Sequence, residues 1–276
     1  MADRREFVVH LDDVGNCHGS NVACAELFAA GVITSAAVMV PCPWWPEFAA
    51  MAKGRDDWDI GVHLTLTAEF PPYRWRPLTG VTDNGLTDPD GFMWRDVASA
   101  RKADPAAVER ELRMQIETAL AAGIDVTHLD SHMGTVMRPE FVDIYVRLGA
   151  DYRLPIFLPR AGFDVPAGEM RSGYDHVFAA LSANKSPDFG FSVTTQWHDA
   201  ADPEPAYRRS FADIDAALIW GAYHATAPGE IEHFSWDADI RLAEYELFRS
   251  GRMRALISEA GLTPVGMRQF RDRMRG

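Results

Sequence analysis

The stretch Phe7-Val8-Val9-His10-Leu11-Asp12-Asp13-Val14-Gly15 reads as a strand running into a charged turn. Phe7 to Leu11 are mostly apolar and β-branched or aromatic, which predicts a buried strand. The strand ends on two adjacent carboxylates and a glycine. Side chains alternate along a strand, so Asp12 and Asp13 must point in different directions unless the backbone turns between them. Acids at the C-terminal end of a first strand lie where open α/β sheets and barrels place their active sites. One carboxylate could hold a cation while its neighbour takes a proton. The alternative is that Asp12 or Asp13 caps the helix that follows.

The chain has 276 residues, enough for one α/β barrel or two modest domains. Its formal net charge is −13 and it has no Lys/Arg-dense run. Nucleic acid and anionic membranes need clustered positive charge, so both are excluded as expected partners. Eight Trp and 11% aromatics would suit a sugar-binding cleft or a well-filled core. Cys17, Cys24 and Cys42 match no zinc spacing and read as reduced structural thiols. No secretory leader is expected, because the apolar run after Asp3, Arg4, Arg5 and Glu6 is too short for one. No run approaches the roughly 18 apolar residues of a membrane span. A soluble, cytoplasmic protein is expected, with self-association left open.

Outward from the first strand, the pattern alternates. A helix is predicted over 21–30 and stopped by Gly31, then a strand over 32–40, a helix over 47–53 and a strand over 59–66. Further along, Asp104-Pro105 opens a helix closed by Gly123, and strands are expected at 126–132, 156–158 and 189–195. Helices are read over 139–148 and 211–220. The last elements are a strand over 230–234, one or two helices over 238–260 and a strand over 264–270. Strand–helix alternation implies parallel strands with right-handed crossovers. The expectation is a single domain spanning 1–276, a TIM-barrel-like α/β barrel of about seven parallel strands, distorted or incomplete. Residues 68–102 interrupt the pattern with four Pro and three Gly, among which stand Tyr73, Trp75 and Trp94. Loops of that length are usually lids or binding loops. Trp75 and Trp94 would stack on a sugar face or, alternatively, pin the loop to the body.

Three predicted strand ends carry metal-type groups: Asp12/Asp13, His63, and His128/Asp130/His132. His233 sits on what reads as a fourth. A parallel barrel gathers strand ends of one polarity on one rim. One carboxylate with two imidazoles suits zinc or another divalent ion that keeps open positions for water. His128, Asp130 and His132 would share one face of a regular strand, as ligand, supporting carboxylate and second ligand.

With these residues in view, the chain resembles the YdjC family of chitooligosaccharide deacetylases. The resemblance rests on His10-Leu11-Asp12-Asp13-Val14-Gly15, where the family has N-A-D-D-F-G. It rests also on Gly31-Val32-Ile33-Thr34-Ser35, on Gly61-Val62-His63-Leu64-Thr65-Leu66-Thr67 and on Thr127-His128-Leu129-Asp130-Ser131-His132. The second half matches more loosely, through Pro159-Arg160 and Glu230-Ile231-Glu232-His233. The resemblance implies a TIM-barrel-like fold and a metal-dependent hydrolase that removes N-acetyl groups from amino sugars. It places one divalent ion, magnesium or zinc, on Asp13, His63 and His132. It places the general base on Asp12 and the general acid on His233; the strand alternation adds His128 and Asp130 as residues behind the ligands. Arg160 would hold substrate or one of the acids, or else form a surface ion pair. The family's asparagine is His10 here, and the family's cysteine and proline around the late histidine are Glu232 and Phe234. These departures put chitobiose itself in doubt as the substrate.

The chemistry implied is attack of an activated water on the acetamide carbonyl, with Asp12 taking the proton and His233 serving the leaving amine. Two other classes stay open. A phosphoesterase or other C–N hydrolase on the same rim would want more basic residues than Arg160. A sugar-binding protein that keeps the metal would need neither Asp12 nor His233. Paired-carboxylate glycoside hydrolysis fits poorly, because Asp12 and Asp13 are adjacent.

Overall fold

The computed structural model describes residues 5–80, 84–160, 174–194, 199–212, 214 and 216–276. At its centre lies β1 (Arg5–Val14), whose Phe7, Val8, Val9 and Leu11 are completely buried. The other strands are β2 (Ser35–Val38), β3 (Ile60–Leu64), β4 (Val126–Ser131), β5 (Phe191–Thr194), β6 (Leu218–Tyr223) and β7 (Leu262–Pro264). The first helices are α1 (His18–Ala29), α2 (Trp45–Ala52), α3 (Val97–Ala100), α4 (Pro105–Ala121), α5 (Val142–Tyr152) and α6 (Asp175–Ala183). They are followed by α7 (Glu204–Ala212), α8 (Ile231–Phe234), α9 (Ala238–Arg249), α10 (Arg252–Glu259) and α11 (Arg268–Arg275).

The fold is mixed α/β with one parallel sheet. Its strand order is β4-β3-β2-β1-β6-β5, and β7 pairs with β1. β6 runs along Glu6 to Leu11 of β1. β7 meets β1 at Arg5 to Phe7 and β2 meets it from His10 onward, so these two share its other edge. The expected strand 156–158 is reduced to isolated parallel bridges, Leu129 with Ile156 and Pro159 with Phe189. Pro155 and Pro159 bracket it and remove two donors that a full ladder would need.

The helix capping α1 settles the alternative reading of the paired acids. Its N-cap position is Cys17, whose N–H donates to Ser20 Oγ at 3.2 Å, so neither Asp12 nor Asp13 caps it. α4 follows its sequence signals closely. Asp104 accepts from the Ala106 N–H at 3.0 Å, and Val108, Leu112, Ile116 and Ala119 face the core.

Three expectations in the second half are corrected. The helix read over 211–220 ends at Ala212 with α7, and Leu218 to Trp220 open the fully buried strand β6. Pairing with β1 and β5 overrides the local helical pattern there. The strand read over 230–234 is the short helix α8, with Ile231 buried and Glu232 and His233 exposed. The last expected strand stops at Pro264, and α11 begins at Arg268. The strand expected over 189–195 is described as β5, and Thr195 lies outside the described residues.

The 68–102 segment is not wholly irregular. Asp96 caps α3 through the Ser99 N–H. Buried Glu111 of α4 accepts from the Leu78 and Thr79 N–H groups and from the Thr79 hydroxyl, tying the segment to the body.

The packing also fixes one glycine. A Cβ on Gly61 would lie 2.4 Å from Nε2 of His128, a ring with no exposed surface. Gly61→Ala is expected to lower stability by about 1–3 kcal/mol through overpacking. The measurement is the urea midpoint, and an unchanged midpoint would mean that the His128 ring has room to move.

Candidate active site

Strand register brings the polar ends together. β1 and β6 pair Leu11 with Tyr223, so Asp12 and His224 each lie one residue beyond the last pair. β3 and β4 pair His63 with Asp130. Asp13 takes a left-handed backbone conformation, φ 61°, and the β1–β2 register slips between Leu11 and Val14. That turn breaks the alternation of the strand. Asp12 and Asp13 therefore line the same cavity of about 410 Å³, together with His63, Asp130, His132 and His224.

Asp13 is the hub. Its Oδ1 lies 3.3 Å from His63 Nε2 and 3.1 Å from His132 Nδ1. Its Oδ2 accepts from Arg241 Nη1 at 2.7 Å. Burial pushes its carboxyl up, but the Arg241 guanidinium and the two imidazoles outweigh that and hold it well below the usual carboxylate range. Behind each imidazole stands a second carboxylate. His63 Nδ1 is 2.9 Å from Asp130 Oδ1, and His132 Nε2 is 2.9 Å from Glu69 Oε2. Burial pulls His132 down, yet the Glu69 and Asp13 carboxylates carry it up to about 9.

Asp12 is held differently. Its Oδ1 lies 3.2 Å from His10 Nε2, and its Oδ2 lies 3.7 Å from His224 Nε2. Burial pushes Asp12 well above the usual range; His63 opposes this and the Asp130 and Asp13 charges add to it. Burial also pulls His224 down to about 4, so its ring is neutral at pH 7.

Among the described residues, three groups of side chains bring metal-type donor atoms within 4.8 Å of one another: Asp13/His63/His132, Asp12/His63/Asp130 and His10/His128/Asp130. The first fits a divalent cation best. It offers one carboxylate oxygen and two imidazole nitrogens, and each imidazole is backed by a carboxylate on its other nitrogen. All three residues also line the cavity, whereas His10 and His128 have no exposed surface and do not.

Of the residues singled out from sequence, Asp12, Asp13, His63, Asp130 and His132 converge here. His128 packs behind them, its Nδ1 2.8 Å from Thr127 Oγ1. The others are not brought in. His233 is exposed on α8 and does not line the cavity, because its segment is a helix and not a strand end. Arg160 pairs at the surface with Asp188 at 2.7 Å and lies over the Phe178 ring. Trp75 is buried in a small apolar cluster with Met39, Cys42, Ala68, Phe70 and Met93. Trp94 donates its indole N–H to the Gly85 carbonyl at 2.8 Å. Both tryptophans pin the 68–102 segment; its contributions to the cavity wall are Glu69 and Val97.

His224, Glu69 and Arg241 were missed. His224 carried a signal: it ends the apolar run Leu218 to Tyr223 just as Asp12 ends β1. Glu69 sits in an irregular segment and has no local signature, and Arg241 sits inside α9.

Parallel strands whose C-terminal ends gather carboxylates and imidazoles around one cavity define a class: an α/β protein with a candidate metal-dependent active site. The chain belongs to the YdjC-like protein family, whose model matches residues 6–259. It is 39% identical over 169 residues to a carbohydrate deacetylase of Thermus thermophilus, covering 60% of this chain and 59% of the relative. It is 33% identical over 154 residues to a carbohydrate deacetylase of Brevibacillus brevis, covering 56% and 59%. The match thus spans less than two thirds of the length of these relatives. Among solved structures, a protein of Enterococcus faecalis named for cellobiose-phosphate cleavage superposes with a TM-score of 0.78 at 20% identity. That superposition covers 96% of this chain and 98% of the other, and it is a likeness of fold. No helix among the described residues is long and apolar enough to cross a membrane.

The placement of Trp75 yields a test. Trp75→Ala is expected to cost about 3–5 kcal/mol of stability, as for a large buried aromatic. Trp75 also packs edge-on against the His132 ring, 6.3 Å between centroids, so cation affinity is expected to fall only together with the urea midpoint. A drop in affinity at unchanged urea midpoint would assign Trp75 to the site instead.

Proposed function

We propose that this chain is a metal-dependent deacetylase that hydrolyses the N-acetyl group of an amino sugar or short oligosaccharide. The observation that carries the reading is the Asp13/His63/His132 group on one cavity with Asp12 beside it. Two relatives named carbohydrate deacetylase support the substrate class. The bridges at Ile156 and Pro159, between β4 and the segment before β5, support a distorted and incomplete barrel as the frame.

Asp13, His63 and His132 would hold the divalent cation. When bound, it supplies Lewis acidity that makes water a nucleophile near neutral pH and polarises the acyl carbonyl. Asp12 is the general base and takes a proton from the attacking water. His224, and not His233, is placed to pass a proton to the leaving amine. It faces Asp12 across 3.7 Å and enters the cycle neutral. The proton that Asp12 removes from water therefore reaches the sugar nitrogen by way of His224. The products are acetate and the free amine, and the carbonyl carbon gains the water oxygen. Arg241 keeps Asp13 ionised and holds its Oδ2, leaving Oδ1 toward the two imidazoles. Trp236, exposed on the cavity wall, is where a sugar entering the cavity would meet an aromatic ring.

Metal titration tests the ligand set. Purified protein is expected to bind one zinc, manganese or magnesium ion per chain, and His63→Ala and His132→Ala to bind well below one. Glu69→Gln should weaken affinity about 10–100-fold by freeing the back of His132. Full occupancy in both alanine variants would sink the assignment.

Acetate release from N-acetylated sugars tests the proton path. Asp12→Asn and His224→Ala are each expected to keep the cation and lose about 10²–10⁴-fold in kcat. His233→Ala should stay within about twofold, as an exposed side chain outside the cavity. The opposite pattern, with His233 essential and His224 dispensable, would return the acid to α8.

A further inference from the structure

His10 is completely buried at the middle of β1, and its imidazole touches three polar groups at once. Nδ1 lies 3.0 Å from Ser35 Oγ, a residue paired with it across β2. Nε2 lies 3.0 Å from Asp130 Oδ2 and 3.2 Å from Asp12 Oδ1. The ring is held in place by Trp220 on one side, 4.2 Å between centroids, and by His128 at 5.0 Å edge-on. Two carboxylates therefore share one nitrogen of a completely buried imidazole. Neither oxygen is lined up with the ring N–H, which cannot point at two acceptors at once.

We propose that His10 is a positioning residue: its Nε2–H holds the Asp12 carboxylate beside Asp130, in the place from which Asp12 acts as base. The assignment rests on the deacetylase reading for the role of Asp12. Its local logic is electrostatic. Asp12 and Asp130 are buried like charges, and without a donor between them they repel. Asp130 is held from its other side as well, where Oδ1 lies 2.9 Å from His63 Nδ1. Asp12 is the one free to swing away. The assignment requires the Ser35 hydroxyl, 3.0 Å from Nδ1, to donate to it, which leaves the single ring proton on Nε2. Burial favours the neutral ring, in keeping with one proton.

Two variants separate positioning from packing. His10→Leu keeps the bulk and removes the donor, whereas His10→Gln places an N–H near the position of Nε2. With wild-type-like cation content in both, His10→Leu is expected to lose about tenfold or more in kcat on the N-acetylated sugar from which the wild type releases acetate, with KM within about twofold. His10→Gln should recover most of that rate. Equal losses in the two variants, or a loss confined to KM or to cation content, would overturn the proposal. Two readouts do not depend on turnover. Nitrogen chemical shifts of ¹⁵N-histidine protein should show His10 protonated at Nε2 and bare at Nδ1. A crystal structure of His10→Leu should show the Asp12 carboxylate displaced from Asp130. The opposite tautomer or an unmoved Asp12 overturns the proposal. A wild-type protein that releases no acetate from any acetylated sugar sinks the deacetylase reading instead, and these two readouts still decide the part played by His10.

Discussion

Two neighbouring residues of one strand can serve the same cavity only if the strand stops being a strand between them. Asp13 meets that constraint with a left-handed backbone, φ 61°, at the point where β1 and β2 lose register. A non-glycine residue there costs about 1 kcal/mol, and aspartate is among the residues that bear it best. Arg241 offsets the cost by gripping Oδ2 at 2.7 Å in a buried ion pair. With the backbone so fixed, Asp13 Oδ1 has no freedom but to face His63 and His132. The same turn leaves Asp12 on the strand side, among His10, Asp130 and His224. One backbone torsion thus separates a carboxylate locked between cations and imidazoles from one that keeps room to change protonation.

The site is expensive to bury, and its pairing pattern is what makes it tolerable. An isolated buried charge costs several kcal/mol, so each acid needs a partner and each imidazole a fixed tautomer. Glu69 behind His132 and Asp130 behind His63 do both jobs. A carboxylate on one ring nitrogen fixes the orientation of the ring and turns the other nitrogen toward Asp13. Several atoms here still lack an aligned hydrogen-bond partner, among them His63 Nδ1, Asp130 Oδ1 and Asp130 Oδ2. Their neighbours are near but off axis, the expected condition of a cavity whose electrostatics favour one further positive charge.

How much of this was legible from sequence depended on range. β1, β3 and β4 were readable because each is a short apolar run whose last residues carry the chemistry, and side chain and signal sit together. β6 has the same form, but the helix read over 211–220 runs into it. That error hid His224 and left His233, on an alternating Glu-Ile-Glu-His run, as the only late histidine in view. Trp75 and Trp94 show the limit of composition. An indole in a long loop reads the same whether it meets a ligand or a core, and only the cluster with Phe70 and Met93 decides it. Glu69 lies 63 residues from the histidine it supports and has no periodic signature at all.

Arg241 at first looks equally illegible, yet its helix carries a pattern. Asp237, Arg241 and Glu244 stand at i, i+4 and i+7, one face of α9. Asp237 pairs with Arg241 at 2.9 Å, and Arg241 reaches Asp13. Glu244 accepts from the backbone N–H of His224 and from the Tyr207 hydroxyl. Burial pushes Glu244 up to about 7 against those donors, a sign of how little water reaches that face. The end of β1 and the end of β6 are therefore tied to the same helix, one through a side chain and the other through the main chain. Such a helix, with three charged residues facing inward, would be unstable packed against an apolar sheet. It is stable here only because the two strand ends offer a carboxylate and an N–H at the matching spacing. The relative position of the ends of β1 and β6 is then set by a single rigid turn of α9, from Arg241 to Glu244, and not by the loops that follow the strands.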